Sequence, residues 1–183
     1  MSLKGLDQAI SNLNSISTTA VPKATSQSIN RVATRAISRS SRRVAKETRV
    51  TTKLIRERAK LKKASPNKPV ATIKVNRGNL PAIKLGTARV RLSSRKKLSR
   101  SKSVLKVGRF SFPGAFIQRL KNGRWHVMQR ETKSRYPIDV VKIPVVTPLT
   151  KAYREETTSL METDMPKEMA AALKNQLRII LKR

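Results

Sequence analysis

The sequence predicts an α+β protein: N-terminal helices, a mostly antiparallel sheet with a central hairpin, and C-terminal helices packed on the sheet. Three observations carry this. Apolar residues recur every three or four positions through the first 64 residues, every second position from Val70, and every three or four again after Leu149. Asn122-Gly123, a dipeptide that tolerates the positive φ angles of a tight turn, stands between two short apolar runs. Pro22, Pro148 and Pro166 each fall where the first turn of a helix accommodates them. The chain divides into an N-terminal helical region, residues 1–65, and an α+β core, residues 66–183, with a basic loop at 93–103.

Taken in order, Leu3, Leu6, Ile10, Leu13 and Ile16 mark a short amphipathic helix. We read it as packing on the core; its place at a terminus makes a subunit-contact arm the alternative. Residues 18–21 break the pattern, and a second helix is expected over 22–48. Its apolar strip (Ile29, Val32, Ala33, Ala36, Ile37, Val44 and Ala45) is interrupted at Ser40-Ser41. Beside the strip, Arg31, Arg35, Arg39 and Arg42 or Arg43 stack at intervals of three to four. Such a ladder repels itself, so something anionic should face it; nucleic-acid phosphate and a merely solvated face are both open. Residues 50–64 read as further helix, with a break near 49–51.

Strands follow. Ala71, Ile73 and Val75 alternate with polar residues, and residues 77–79 supply a turn. The alternation slips by one between Leu85 and Ala88, so Gly86 is expected at a bulge or bend. Residues 93–103, SSRKKLSRSKS, have almost nothing to bury and read as a basic loop, with Arg95, Lys96, Lys97, Arg100 and Lys102 as further candidates for phosphate contact. Residues 104–112 return to strand. In the hairpin that follows, a two-residue Asn122-Gly123 loop would oppose Leu120 to Trp125, Gln118 to Val127 and Ile117 to Met128. Trp125, the sole Trp of an aromatic-poor chain, is expected to be buried. A strand at 138–143 and helices after Thr147 and Thr163-Asp164 complete the chain, the last with a Met169, Leu173, Leu177, Ile180 and Leu181 stripe expected to face the sheet.

Charge sets the class of partner. The net charge is +32, and no acid lies between Glu57 and Glu131, so a polyanion or an acidic protein surface should be close by. Aromatics are 3% of the chain, too few for base stacking to dominate binding. With no Cys and one His, neither a disulfide nor a zinc site is expected, and no cofactor is implied. No apolar run reaches the roughly 20 residues that span a bilayer. Phosphate-binding and nucleophile motifs are missing, His126 reads as structural beside Trp125 and opposite Arg119, and Asp139 as the partner of an Arg. No enzyme is expected.

PGAFIQ, KNGRWHVMQR and RYPIDVVKIP, followed by PLT, resemble the minor tail protein Z family of lambda-like bacteriophages. KGLDQAI, the AVPKA to INRVA run, ETRV to KLIRERAKLKKA and IKVNRGNLPAIKLG fit the same family in the same order, so the resemblance covers nearly the whole chain. It implies a structural virion protein of a long, flexible, non-contractile tail, acting late in tail completion at the head-proximal end. It also implies other copies of the chain in a six-fold ring, tail terminator, tail tube and neck proteins as neighbours, and the double-stranded DNA backbone in the lumen. A ribosomal or chromatin-like nucleic-acid-binding protein is the rival that charge alone would favour.

Overall fold

The computed structural model describes residues 3–91, 104–132, 134 and 136–181. Its axis is a long helix. Helix α1 (Leu3–Ser15) passes through a wider π-helical turn (Ile16–Ala20) into α2 (Val21–Thr48), so the expected break at 18–21 is a widened turn, not an interruption. Arg49 ends α2 in the left-handed conformation, with φ 57°. The break expected at 49–51 is therefore real, but only α3 (Thr52–Arg56) is helical after it. Residues Ala59–Lys62 form strand β1, where helix was expected. The apolar side chains Ala59 and Leu61 alternate with Lys60 and Lys62, and pairing with β2 (Thr72–Val75) turns Ala59, Leu61, Ile73 and Val75 toward the core. Good helix propensity over 57–64 is overridden by that burial.

The remaining strands are β3 (Leu80–Pro81), β4 (Ala88–Arg91), β5 (Val104–Val107), β6 (Phe110–Pro113), β7 (Phe116–Arg119), β8 (Trp125–Arg130), β9 (Ile138–Val140) and β10 (Lys142–Ile143). They pair antiparallel in small sheets ordered β1-β2, β3-β10, β4-β5-β6 and β7-β8-β9. Between β3 and β4 a 3₁₀ turn (Ala82–Leu85) ends at Gly86, whose φ is 141°. Here the alternation slips, as the pattern implied. The reason is a close approach of two backbones: Gly86 lies against Gly108, and a Cβ on Gly108 would stand 2.7 Å from the Leu85 carbonyl oxygen.

The central hairpin exists in another register. Gln118 faces His126 and Arg119 faces Trp125, while Ile117 faces Val127. The loop has three residues, not two. Gly123 N–H donates to the Leu120 carbonyl at 2.9 Å, Leu120 N–H donates to the Arg124 carbonyl at 2.9 Å, and only Gly123 of the pair has positive φ (75°). This is a turn closed by a glycine bulge, and it shifts every partner by one. Trp125 consequently stands 57% exposed, contrary to expectation. Val127 and Met128 are the residues β8 buries.

Helices α4 (Val146–Thr163) and α5 (Met165–Leu181) pack chiefly on α2, not on the sheet. Ala24, Ser28, Val32, Ala36, Ser40 and Val44, spaced by four, form a buried ridge of small side chains along α2. Such a ridge lets a neighbouring helix approach closely. Of the two serines expected to interrupt the strip, Ser40 belongs to this ridge and Ser41 is buried beside it. Ser40 donates to the Ala152 carbonyl at 3.4 Å, and its neighbour Ser41 shares a 3.2 Å hydrogen bond with the Tyr153 hydroxyl, so neither hydroxyl is buried unpaired. Asn30 ties α2 to the end of β1: its amide donates to the Ala64 carbonyl at 2.9 Å and accepts from Ala64 N–H at 2.8 Å. Beneath α2 lies the main core, Ile37, Val44, Val50, Ile55, Leu80 and Leu149, which joins helices to strands. A second cluster, Leu105, Val107, Ala115 and Val127, fills the space between the sheets.

Two outcomes follow. Gly108→Ala is expected to lower stability by about 1–3 kcal/mol in denaturant unfolding, and Gly114→Ala by less. Gly114 shares the positive φ, but a Cβ there meets nothing within 4 Å. Iodide is expected to quench Trp125 fluorescence readily in the isolated chain; a protected indole would contradict the exposure of Trp125 at the start of β8.

Candidate nucleic-acid interface

The arginine ladder of α2 is faced by an anion, and the anion is the chain's own. Arg31 reaches Glu168 at 3.3 Å. Arg35 bonds both Asp164 and Glu168, the latter at 2.7 Å. Arg39 lies 3.7 Å from Asp164. Arg43 bridges Glu155 at 2.6 Å and Glu156 at 3.3 Å. The geometry follows from sequence spacing: residues four apart on α2 form one row beside the small-residue ridge. Helices α4 and α5 dock on that ridge and carry their acids to the row. The carboxylates of Asp164 and Glu168 are 15% and 17% exposed, while the arginines keep 40–55% of their side chains in solvent. Four of the five helix candidates are thus ion-paired within the chain, which their spacing alone did not reveal. The arginines show at helical spacing; the acids that meet them lie some 110 to 140 residues away in sequence.

Arg42 is different. It points off the row, is exposed, and has no carboxylate partner among the described residues. With Lys46, Arg49 and Arg109 it rims a cleft of about 700 Å³ whose described lining includes no acid. The other candidates, Arg95, Lys96, Lys97, Arg100 and Lys102, lie outside the described residues. A basic surface that the sequence reading missed is the outer face of the β1-β2 ribbon, where Lys60 sits directly opposite Lys74. Its signal was the alternation of Lys with apolar residues at 59–62, read there as helix.

At the other extreme stands α1. Leu6, Ile10 and Leu13 are 60%, 50% and 65% exposed, so this helix does not bury its stripe in the core as expected. Elsewhere Asp139 has no Arg partner among the described residues; its neighbour is Glu131, whose pKa is raised by hydrogen bonding to Asp139 and by the Asp139 charge. His126 is opposite Gln118 rather than Arg119, and its Nδ1 is buried without a hydrogen-bond partner. Among the described residues no three His, Cys, Asp or Glu side chains gather as metal ligands, and no helix is long and apolar enough to cross a membrane.

The ion pairs carry a pH signature. Hydrogen bonds from Arg35 hold the Asp164 and Glu168 carboxyls below their ordinary range, against a smaller opposing push from desolvation. A depressed carboxyl stabilises the fold above its unfolded pKa and loses that contribution as pH falls through the folded value. Thermal stability is therefore expected to hold at neutral pH and to fall below about pH 4. Arg35→Gln should be less stable at pH 7 and show a shallower acid slope, measured by melting at a series of pH values.

The family model for the prophage minor tail protein Z matches residues 3–183. The tail completion protein of Escherichia phage N15 is 65% identical over 184 residues, and tail completion protein Z of Escherichia phage lambda is 54% identical over 192 residues. Each alignment covers 100% of both chains. No solved structure matches the chain. By the extent of the family match and by the identity to both relatives, the chain belongs to the prophage minor tail protein Z family.

Proposed function

We propose that this chain, a tail completion protein of the phage virion, closes into a ring of copies at the junction of neck and tail. There it holds the end of the double-stranded genome by its phosphate backbone. The relatives' names carry tail completion. The ring, its six-fold order, its place at the head-proximal end of a long flexible tail, and the DNA contact are our reading.

One observation supports it above the others: charge is segregated along the molecule. Residues 1–30 contain only Lys4, Asp7 and Lys23 as charged side chains, while the whole chain carries +32. Two copies of so basic a protein repel one another over most of their surface. The apolar stripe of α1, with Leu6, Ile10 and Leu13 in solvent, is where a second copy can approach with little repulsion and bury apolar area. The uncompensated cations then serve a polyanion. Arg42 with its cleft, and the 93–103 loop through Arg95, Lys96, Lys97, Arg100 and Lys102, contact phosphate. Arg31, Arg35, Arg39 and Arg43 keep the helices together and present only their unpaired N–H groups. Backbone contact suits DNA of arbitrary sequence, since phosphates carry no sequence information.

Light scattering on nucleic-acid-free protein tests the ring. The chain should be monomeric at low salt and associate when salt or duplex DNA screens the charge, whereas Ile10→Glu should stay monomeric throughout with an unchanged melting temperature. Closed rings at low salt without an anion would refute the repulsion argument. Replacing the loop cations with Gln should flatten the salt dependence of DNA binding by about one unit of slope per lost contact. A marked base preference would exclude a backbone-only contact.

A further inference from the structure

We infer that the outer face of the β1-β2 ribbon is a second phosphate-binding track, formed by Lys60, Lys62 and Lys74 with Arg58 and Lys84 beside it. The inference rests on the DNA reading above and adds to it a site on a different element. Its starting point is the register. Lys60 faces Lys74 across the antiparallel pair, and Lys62 faces Thr72. Period-two alternation sends Ala59, Leu61, Ile73 and Val75 into the core, so the lysines have no choice but the outer face. All three are exposed, and none has a carboxylate partner among the described residues.

Like charges directly opposite on a ribbon destabilise it. A bound anion removes that cost. Around the pair the surface is concave: Arg58, Lys60, Lys74 and Lys84 line a cleft of about 500 Å³, with Glu57 the one acid in its described lining. Arg58 is held in place there. Its guanidinium donates to the Asn76 carbonyl at 3.0 Å and to the Gly78 carbonyl, fixing the turn after β2. Partial burial lowers its pKa without a carboxylate to offset it.

The ligand class follows from spacing and composition. Side chains two residues apart on a strand, Lys60 and Lys62, stand about 6.8 Å apart, close to the separation of successive phosphates along one nucleic-acid strand. The face presents lysines and Thr72 but no large apolar group. Protein interfaces are depleted in Lys at their centres and need apolar anchors, so an acidic protein partner fits this face less well than a phosphate backbone.

The test compares three full-length proteins: wild type, Lys60→Thr/Lys74→Thr, and the loop variant with its cations changed to Gln. Each is titrated with short DNA duplexes of unrelated sequence over a range of salt, and with polyglutamate, and melted without ligand. The ribbon variant should keep or raise its melting temperature, since a repulsive pair is gone and Thr suits a strand. Its log–log salt slope should fall by about two, whatever the duplex sequence. If the loop variant loses slope but the ribbon variant does not, the ribbon inference is wrong and the DNA reading stands. If wild type binds no duplex, the DNA reading itself is wrong. A ribbon variant that loses polyglutamate binding while keeping its DNA slope would overturn phosphate as the ligand.

Discussion

The pairing of α2's arginine row with the acids of α4 and α5 is the constraint on which the molecule depends. The chain has 10 acids against 42 Lys and Arg, and four of those acids, Glu155, Glu156, Asp164 and Glu168, are committed to this one seam. Without them a helix bearing Arg31, Arg35, Arg39 and Arg43 on one side would repel itself and any basic neighbour. With them, two C-terminal helices dock on a row of small residues close enough for Ser40 and Ser41 to bond across the contact. Hydrophobic burial adds to it, with Leu160 against Val32 and Ala36 and with Leu149 and Ala152 in one cluster with Ile37 and Val44.

That commitment shapes everything outside the seam. Few acids are left for the strands, so Lys60, Lys62 and Lys74 stand bare on the ribbon, and Arg42, Lys46, Arg49 and Arg109 rim a cleft whose described lining holds no acid. Among the described residues, bare cations thus stand on the ribbon and at the end of α2, while the arginine row along α2 is paired. The nearly uncharged α1 lies apart from it with its apolar stripe open. Under the function proposed above, keeping these surfaces separate is an advantage, because apolar contact and phosphate contact tolerate opposite amounts of charge. Membership of the minor tail protein Z family gives such a division a setting that a ribosomal or chromatin-like protein would not.

The sequence by itself determined the class of fold, the extent of α2, the bend at Gly86 and where along the chain α4 and α5 begin, though not what they pack on. Each is written in local chemistry: a hydrophobic period, a glycine at a phase slip, a proline in a first turn. It also determined the family, through the collinear order of its segments. Tertiary structure decided the rest. Residues 57–64 carry both a helix propensity and a period-two pattern, and only pairing with β2 chooses between them. The hairpin register turned on whether Asn122 joins Gly123 at positive φ; a bulge moved every partner by one and put Trp125 outside. Whether α1 buries its stripe, and whether α2's arginines face a carboxylate of the chain itself, depended on which distant helices pack against them. Spacing along one helix reveals that a charge row exists, but the sign and source of what faces it come from residues more than a hundred positions away.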